Sequence, residues 1–324
     1  MPNAVVVHET GGPDKLSFET VPDAAPGPGE ARIRHTAIGL NFIDVYYRTG
    51  LYKVPALPFV PGQEAAGVVE QVGPGVTSVS AGDRVAYANA PGAYAESRVV
   101  SADKLVRLPP GVDDRAAAAM MLKGMTAEFL LFRCARVNRG DTILFHAAAG
   151  GVGSIACQWA RALGIHVIGT AGGPEKVARA RQNGCDEVVD LKSEDLVARV
   201  RDLTGGAGVR AAFDSIGKDT FAASLECVGR RGMLVLFGQS SGVVPPIDPS
   251  LLAARGSLFL TRPSMAHYLG TREELVQSAE RLFDVVGRGA VRVPIGQSYA
   301  LRDAARAQAD LEARRTTGST VLLP

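Results

Sequence analysis

Before residue 113, short apolar segments are separated by clusters of glycine and proline. This pattern is typical of β-strands joined by turns. Only Phe42–Thr49 has helical spacing in this part of the chain. The sequence therefore predicts a β-rich, partly closed domain, with strands over Ala4–Val7, Leu16–Thr20, Ala31–Ile38, Ala66–Val72, Arg84–Ala88, Ala93–Val100 and Leu105–Arg107.

From residue 142 to about residue 262, apolar runs of strand length alternate with segments of helical periodicity. Six strands with crossover helices predict an α/β fold with a doubly wound parallel sheet in the order 3-2-1-4-5-6. Ala116–Phe132, rich in helix formers, predicts the helix that joins the two domains. After the first strand at Thr142, the predicted strands are Ile165–Thr170, Glu187–Asp190, Arg210–Phe213, Gly232–Phe237 and Ser257–Leu260, and the helices are Ile155–Leu163, Glu175–Asn183, Glu194–Leu203 and Thr220–Val228.

The remaining tail begins with an amphipathic helix over Arg272–Val286. A strand over Val291–Pro294, a helix over Asp303–Ala313 and a strand over Ser319–Leu323 follow. A completed six-stranded sheet has no place for these last strands. We therefore expect the tail to return to the N-terminal β domain.

The stretch from Thr142 to Gly153 is an apolar run, a turn of small residues and the start of a helix. Its spacing matches the G-x-G-x-x-G fingerprint of dinucleotide-binding folds, with Ala148 in place of the first glycine. Gly150 would let the backbone approach a pyrophosphate, and Gly153 would let the helix pack closely on the strand. The segment Gly150-Gly151-Val152-Gly153 is therefore predicted to present the helix N-terminus to the phosphates.

Bulk composition indicates a globular protein, with 46% apolar and 21% charged residues and a net charge of +2. Basic and acidic residues are interspersed, so neither nucleic acid nor a membrane surface is an expected partner. The N-terminus lacks the pattern of a signal peptide, and no apolar stretch has the length of a membrane span. Cys134, Cys157, Cys185 and Cys227 are widely scattered, which favours a reducing, cytoplasmic location.

Motifs in order along the chain resemble those of the medium-chain dehydrogenase/reductase superfamily: Ala37–Asp44, Pro61–Gly67, Ala81–Val85 and Gly92–Glu96. Later segments resemble its zinc-free, NADPH-dependent quinone oxidoreductases, the branch that includes zeta-crystallin: Phe145–Gly153, Phe237–Gly242 and Thr261–Ser264. The resemblance implies a GroES-like catalytic domain over residues 1–122, a Rossmann NADPH-binding domain over 123–262, and a return to the catalytic domain over 263–324. It also implies an active site in the cleft between the domains.

The zinc-dependent alcohol dehydrogenases of this superfamily place a cysteine ligand where this chain has Asn41 and a histidine ligand where it has Gln63. An amide is a poor zinc ligand beside thiolate or imidazole, so the resemblance implies no metal site. Without a Lewis acid, the expected substrate is an activated acceptor such as a quinone or a conjugated enone.

NADPH is predicted as the cofactor because the second strand ends in Ala171-Gly172-Gly173, where an NAD enzyme usually has a carboxylate. Lys176 follows at a helix N-terminus and could neutralise a 2′-phosphate, although a solvated surface lysine would look the same in the sequence. The resemblance adds Arg314 as a second cation. The chain departs from the family at Leu191, next to Lys192, where a tyrosine usually contacts the adenosine.

For the reacting end, the resemblance places six residues near the nicotinamide or the acceptor: Asn41, Asp44, Gln63, Phe237, Gly238 and Ser240. Ser215 is a further candidate for binding the cofactor. Tyr46 and Tyr52 could donate hydrogen bonds to a quinone carbonyl, or they could simply line an apolar wall. Lys123 is another candidate donor, which packing at the domain junction would explain equally well.

These observations predict an NADPH-dependent reductase of quinones or related conjugated carbonyls. One alternative is an enoyl-type reductase acting on a C=C bond, which shares the fold and cofactor. A second is an NADPH-regulated RNA-binding or structural protein, which the near-neutral charge disfavours. The resemblance also implies a homodimer, joined through Rossmann-sheet edges near Ser257–Leu260.

Overall fold

The computed structural model describes residues 1–54 and 56–324. Its strands are β1 Asn3–Val7, β2 Leu16–Thr20, β3 Glu30–Leu40, β4 Glu64–Val72, β5 Arg84–Tyr87, β6 Ser97–Ser101, β7 Val106–Arg107, β8 Thr142–Phe145, β9 His166–Ala171, β10 Glu187–Asp190, β11 Val209–Asp214, β12 Val228–Leu236, β13 Phe259–Thr261, β14 Ile295–Ala300 and β15 Ser319–Leu323.

Its α-helices are α1 Phe42–Arg48, α2 Asp114–Glu128, α3 Gly151–Ala162, α4 Pro174–Gln182, α5 Leu196–Leu203, α6 Phe221–Cys227, α7 Ser250–Ala254, α8 Met265–Tyr268, α9 Arg272–Gly287 and α10 Ala304–Glu312. Short 3₁₀ turns cover Pro13–Lys15, Ala102–Lys104 and Leu301–Asp303, and a π-helical turn over Phe129–Cys134 follows α2. Within the described residues, no helix is both long and apolar enough to cross a membrane.

The structure divides into two compact units. Unit 1 comprises Met1–Met125, Thr271–Gly287 and Val293–Pro324, and unit 2 comprises Thr126–Gly270 and Arg288–Arg292. Unit 2 contains a six-stranded sheet in the order β10-β9-β8-β11-β12-β13, with every pair parallel. The predicted fold class and the 3-2-1-4-5-6 order are therefore confirmed.

The main sheet of unit 1 runs in the order β14-β15-β3-β4-β5-β7, and β6 also pairs with β3. β15 lies antiparallel to β3, with Val321 opposite Gly39. The C-terminal strands therefore do return to the N-terminal β-rich sheet, as expected from the sequence. Side chains from early and late segments share this core, among them Ile33, Tyr87, Leu105 and Leu322.

Three predicted elements differ from the structure. No strand covers Val291–Pro294. The nearby strand is β14, which begins after Pro294 and alternates half-buried with exposed residues. Of the predicted strand at Ala93–Val100, only Ser97–Val100 pairs with β3, as part of β6. Its first part makes loop contacts instead, with Tyr94 N donating to Pro61 O at 2.9 Å. The predicted helix over Ala116–Phe132 ends as an α-helix at Glu128 and continues as the π-helical turn.

All four cysteines are buried. Cys157 lies on α3, Cys227 ends α6, and Cys185 precedes β10. Burial raises the pKa of the Cys227 thiol to about 12. The thiols are therefore part of the apolar interior.

Candidate active site

The turn between β8 and α3 is built from small residues because its backbone is tightly folded. Ala147 has φ +52, in the left-handed region that a non-glycine residue rarely adopts. Its carbonyl accepts the N–H of Gly150 at 2.8 Å. A Cβ on Gly153 would lie 2.4 Å from the Ala147 oxygen and 2.8 Å from the Ala148 Cα. Gly153 is therefore required by the fold itself.

Gly150 is the N-cap of α3, and a Cβ there would lie 3.1 Å from the Ala147 oxygen. Gly150, Gly151 and Val152 are partly exposed, whereas Gly153 is buried. The first turn of a 12-residue helix thus presents its unbonded N–H groups beside a glycine surface. This geometry fits a pyrophosphate.

The end of β9 forms the second part of this surface. Gly173 has φ +91 and is the N-cap of α4, with the half-buried Lys176 in the first turn. Asp190 Oδ1 accepts the backbone N–H groups of Gly173 at 2.8 Å and Lys192 at 3.0 Å. These bonds hold the pKa of Asp190 below its usual value.

Lys192 is exposed, and its Nζ would be 3.6 Å from a Cβ on Gly173. The Asp190 carboxylate is thus occupied by backbone N–H groups, and a lysine side chain lies along the glycine loop. Lys192 therefore lies along the loop after the second strand of the sheet, and Lys176 stands in the first turn of the helix that follows this loop. Dinucleotide-binding folds recognise the ribose substituent at this position. Arg314, the third candidate, belongs to unit 1, where it is exposed with φ +59 after α10.

The loops after β11 and β12 carry the remaining unit 2 candidates, and they are joined to each other. The backbone N–H of Ser240 donates to Ser215 O at 3.2 Å, and Ser241 N donates to Ile216 O at 2.8 Å. A Cβ on Gly238 would lie 2.6 Å from the Ser215 oxygen, so only glycine allows this approach. Arg262 Nη1 donates to Gly238 O at 2.9 Å.

Phe237 packs against Phe145 at the end of β8, with ring centroids 5.6 Å apart. The structure therefore brings Ser215, Phe237, Gly238 and Ser240 together in unit 2. These residues follow strands on the second half of the sheet, while the Gly172–Lys176 loop follows the first half.

In unit 1, Asn41 and Asp44 lie at the start of α1. Asp44 Oδ2 accepts the Asn41 backbone N–H at 2.9 Å and the Tyr94 hydroxyl at 2.9 Å. Asp44 is fully buried, and its Oδ1 has no hydrogen-bond partner among the described residues. Burial raises the pKa of Asp44 to about 7, against the lowering effect of its hydrogen bonds from Asn41 and Tyr94.

Glu64, at the start of β4, is a fully buried carboxylate that sequence reasoning did not assign to the site. Its Oε1 accepts Asn41 Nδ2 at 2.8 Å and Lys123 Nζ at 2.5 Å, and its Oε2 accepts the Leu122 N–H at 2.5 Å. Because a carboxylate only accepts, the Asn41 amide nitrogen must face Glu64. Lys123 is thus the partner of a buried ion pair, an outcome that neither sequence interpretation anticipated.

Tyr46 and Tyr52 pack together, with ring centroids 5.1 Å apart, and Phe42 and Tyr47 extend this aromatic cluster. Tyr46 is 8% exposed, and Gln63 is 3% exposed. Both roles proposed for the tyrosines, donor and apolar wall, are compatible with this packing.

Besides Glu64, the sequence analysis missed Tyr94 and three polar residues of unit 2: His146, Asp214 and Ser224. His146 and Asp214 each stand at the carboxyl end of an apolar strand, where a ligand-binding loop begins. A polar residue closing a buried strand was the available signal.

Comparison with known proteins identifies the family. Residues 27–110 match the alcohol dehydrogenase GroES-like domain, and residues 151–284 match a domain described as zinc-binding dehydrogenase. A quinone oxidoreductase of Pseudomonas aeruginosa is 52% identical over 97% of this chain and 97% of its own length. The chain belongs to the quinone oxidoreductase family. It is thereby a member of the medium-chain dehydrogenase/reductase superfamily, as the motifs indicated.

Two further relatives of this quinone oxidoreductase family are informative. The crystal structure of an Escherichia coli quinone oxidoreductase complexed with NADPH has a TM-score of 0.98 and 45% identity, covering 99% of this chain and 100% of that one. A 2-haloacrylate reductase of Burkholderia is 46% identical over 99% of this chain and 98% of its own length.

The zinc-binding description applies to residues 151–284, whereas Asn41 and Gln63 lie outside that range. Among the described residues, no group of three or more His, Cys, Asp or Glu side chains is placed to hold a metal ion.

Proposed function

We propose that this protein is an NADPH-dependent, zinc-independent reductase of quinones and related conjugated carbonyls. The observation that carries the cofactor choice is the loop after β9. Its glycines leave room for a ribose 2′-phosphate, and the Asp190 carboxylate is held by two backbone N–H groups. Lys192 lies along the loop, and Lys176 stands in the first turn of the helix that follows it. The NADPH complex of the Escherichia coli relative supports the same cofactor.

When bound, NADPH supplies a hydride to the acceptor. In this proposal the first turn of α3 binds the pyrophosphate, and the Ser215 and Phe237–Ser240 loops hold the nicotinamide half. Asn41 contributes its amide oxygen as a fixed acceptor, because Glu64 holds the amide nitrogen. Gln63, Tyr46 and Tyr52 are proposed to orient the acceptor and stabilise the oxyanion that develops on it.

The test is a spectrophotometric screen of NADPH oxidation with naphthoquinones, benzoquinones, enones, enoyl thioesters and aldehydes. We expect turnover of quinones, little with aldehydes, and no oxidation of primary alcohols with NADP. Alcohol oxidation without quinone turnover would overturn the proposal. Stoichiometric zinc on elemental analysis, with activity lost on chelation, would overturn its zinc-free part.

Reduction of a conjugated C=C bond is the second candidate, because a relative at 46% identity is named 2-haloacrylate reductase. Both reactions use the same cofactor site and differ only in where the hydride adds. Including 2-chloroacrylate in the same screen separates them: faster turnover of the haloacrylate than of any quinone would favour this candidate.

We further propose a cytoplasmic homodimer joined through the outer edge of β13. The functional division at residues 122 and 262 also remains a proposal.

A further inference from the structure

Four buried side chains of unit 2 form one continuous chain of hydrogen bonds, which we call the buried relay: Thr170, His146, Ser224 and Asp214. Thr170 Oγ1 lies 3.0 Å from His146 Nδ1, and Ser224 Oγ lies 2.8 Å from His146 Nε2. Ser224 Oγ is also 2.7 Å from Asp214 Oδ2. None of the four is more than 1% exposed.

The direction of every proton in the buried relay follows from its chemistry. Burial lowers the pKa of His146, so its ring is neutral and carries one N–H. The Asp214 carboxylate accepts, so the single Ser224 proton points to it. His146 Nε2 must then donate to Ser224 Oγ, and Nδ1 must accept from Thr170. Ser224 donates its hydroxyl hydrogen to Asp214 and accepts a hydrogen bond from His146. It is therefore not the nucleophile of a hydrolase triad, whose histidine accepts the serine proton.

The buried relay spans the carboxyl edge of the sheet where a dinucleotide binds. Thr170 is near the end of β9, His146 follows β8, and Asp214 ends β11, while Ser224 lies on α6. β8 and β11 are neighbours in the sheet and mark its topological switch point. The buried relay therefore links side chains of the two mononucleotide-binding halves of the sheet, β8–β10 and β11–β13.

Asp214 also holds the loop that follows it. Its Oδ1 accepts the backbone N–H groups of Ile216 at 2.8 Å and Gly217 at 3.0 Å. Through Ser215 O and Ile216 O, this loop in turn holds the backbone of Ser240 and Ser241. Asp214 thus anchors the loop that carries Ser215. Its carboxylate is held in turn by Ser224 Oγ and by Thr220 Oγ1, which lies 2.9 Å from Oδ1 and 2.8 Å from Oδ2.

We propose that Ser224 and His146 are positioning residues for the nicotinamide half of the cofactor. This inference rests on the proposed NADPH-dependent function. Removing the Ser224 hydroxyl takes away one of the two side-chain donors to Asp214 Oδ2, the other being Thr220, and leaves the His146 N–H without an acceptor. The Asp214 carboxylate that anchors the Ser215–Gly217 loop would lose part of its support and shift, while the Gly172–Lys176 loop would keep its own contact with Asp190.

The test compares Ser224→Ala with the wild-type enzyme in binding NADPH and adenosine 2′,5′-bisphosphate, a fragment that lacks the nicotinamide half. We expect the Kd for NADPH to rise about tenfold, because the loop is displaced and a buried donor is left unpaired, and the Kd for the fragment to stay unchanged. Ser224→Thr, which keeps the hydroxyl, should restore most of the NADPH affinity. Cys227→Ala, a matched buried change on the same helix outside the relay, should change neither Kd.

Equally weakened binding of NADPH and of the fragment would mean that the buried relay supports the fold in general. Unchanged binding of both would mean that the relay does not position the loop. Either result would overturn this inference and leave the proposed function standing. A wild-type protein that binds the fragment but not NADPH would overturn the proposed function as well. If Ser224→Ala fails to fold, Ser224→Cys, with a weak donor of similar shape, should show the same split between the ligands.

Discussion

Asp44 and His35 are both buried in unit 1, and burial shifts their pKa values in opposite directions. Burial raises the pKa of Asp44 from 3.8 to about 7 and lowers that of His35 from 6.5 to about 4. The folded state thus binds the Asp44 proton more tightly than the unfolded state does. Asp44 therefore contributes stability below pH about 4 that is lost as the pH rises to about 7, and His35 loses its contribution as the pH falls through the same range.

Replacing Asp44 isolates its part of this balance. Asp44→Asn should gain stability relative to wild type as the pH rises from 4 to 7, by roughly 3 kcal/mol over the range. Denaturant unfolding at several pH values measures the difference, in which the His35 contribution cancels. Asp14→Asn, a change at an exposed carboxyl, is the control and should follow the wild-type curve. A difference between Asp44→Asn and wild type that is independent of pH would contradict the raised pKa.

The predicted preference for NADPH over NADH can be tested at a single residue, Lys176. A charge-assisted bond to phosphate is worth about 1.5–3 kcal/mol. Lys176 is half-buried and Lys192 can share the phosphate, which favours the lower end. Lys176→Ala should therefore raise the KM for NADPH about tenfold, with NADH kinetics nearly unchanged and the effect smaller at high salt.

Arg181→Ala, on the same helix beyond its first turn, is the matched control and should leave both cofactors unaffected. An equal loss of kcat/KM with NADPH and with NADH would mean that Lys176 stabilises the fold and does not bind the 2′-phosphate. No loss with either would leave Lys192 or Arg314 to bind the phosphate.

At the scale of elements, the β8–α3 turn contains two glycines with different roles: Gly153 is needed for packing, and Gly150 is proposed to bind the cofactor. Gly153→Ala would place a Cβ 2.4 Å from a backbone oxygen, and overpacking of this kind typically costs about 1–3 kcal/mol. A Cβ at Gly150 would meet its nearest atom, the Ala147 oxygen, at 3.1 Å. Gly150 is partly exposed at the helix N-terminus proposed to bind the pyrophosphate. We expect Gly153→Ala to lower the Tm, and Gly150→Ala to keep the Tm while weakening NADPH binding. Thermal melts and NADPH titrations of both variants check this, and a reversal of the two effects would refute the assignment.

The order of elements could be predicted because periodicity is a local property. The runs that became β8, β9 and β11 are largely apolar and buried, and their alternation with helices predicts a doubly wound parallel sheet. The strand at Ile295–Ala300 was missed because it is an edge strand with Gly296 and Gln297 in its apolar pattern. The π-helical turn after Glu128 has no local signal that separates it from α-helix.

The site was predictable only where a motif is contiguous. The Gly150–Gly153 turn is one stretch of sequence, so its geometry followed from spacing. The Glu64–Lys123 pair joins residues 59 positions apart, and the bond between His146 and Ser224 joins residues 78 positions apart. Only the fold brings these side chains together, and only burial explains the raised pKa of Asp44.

At the scale of the whole molecule, β13 leaves an open edge. It is the last strand of the unit 2 sheet, and Phe259 on it is 57% exposed. An unpaired edge with an exposed aromatic residue is suited to pairing with a second copy. Light scattering after gel filtration should give twice the chain mass of 33.9 kDa for wild type, and Phe259→Asp should shift it toward the monomer. Val243 is equally exposed, at 58%, but lies in a loop, so the Val243→Asp variant should remain dimeric. A monomeric wild-type protein would contradict the proposed dimer.

The burial of all four thiols has a consequence for an enzyme that handles quinones. Quinones and conjugated enones are electrophiles that add to thiolates, and the thiolate is the reactive form of cysteine. Burial raises the pKa of Cys134 and Cys227, and the Cys185 side chain together with burial raises that of Cys157 well above its usual value. Mass spectrometry after exposure to 1,4-benzoquinone should find no adduct on the native protein and adducts at all four cysteines once it is unfolded. The folded enzyme is thereby protected from alkylation by its own substrate.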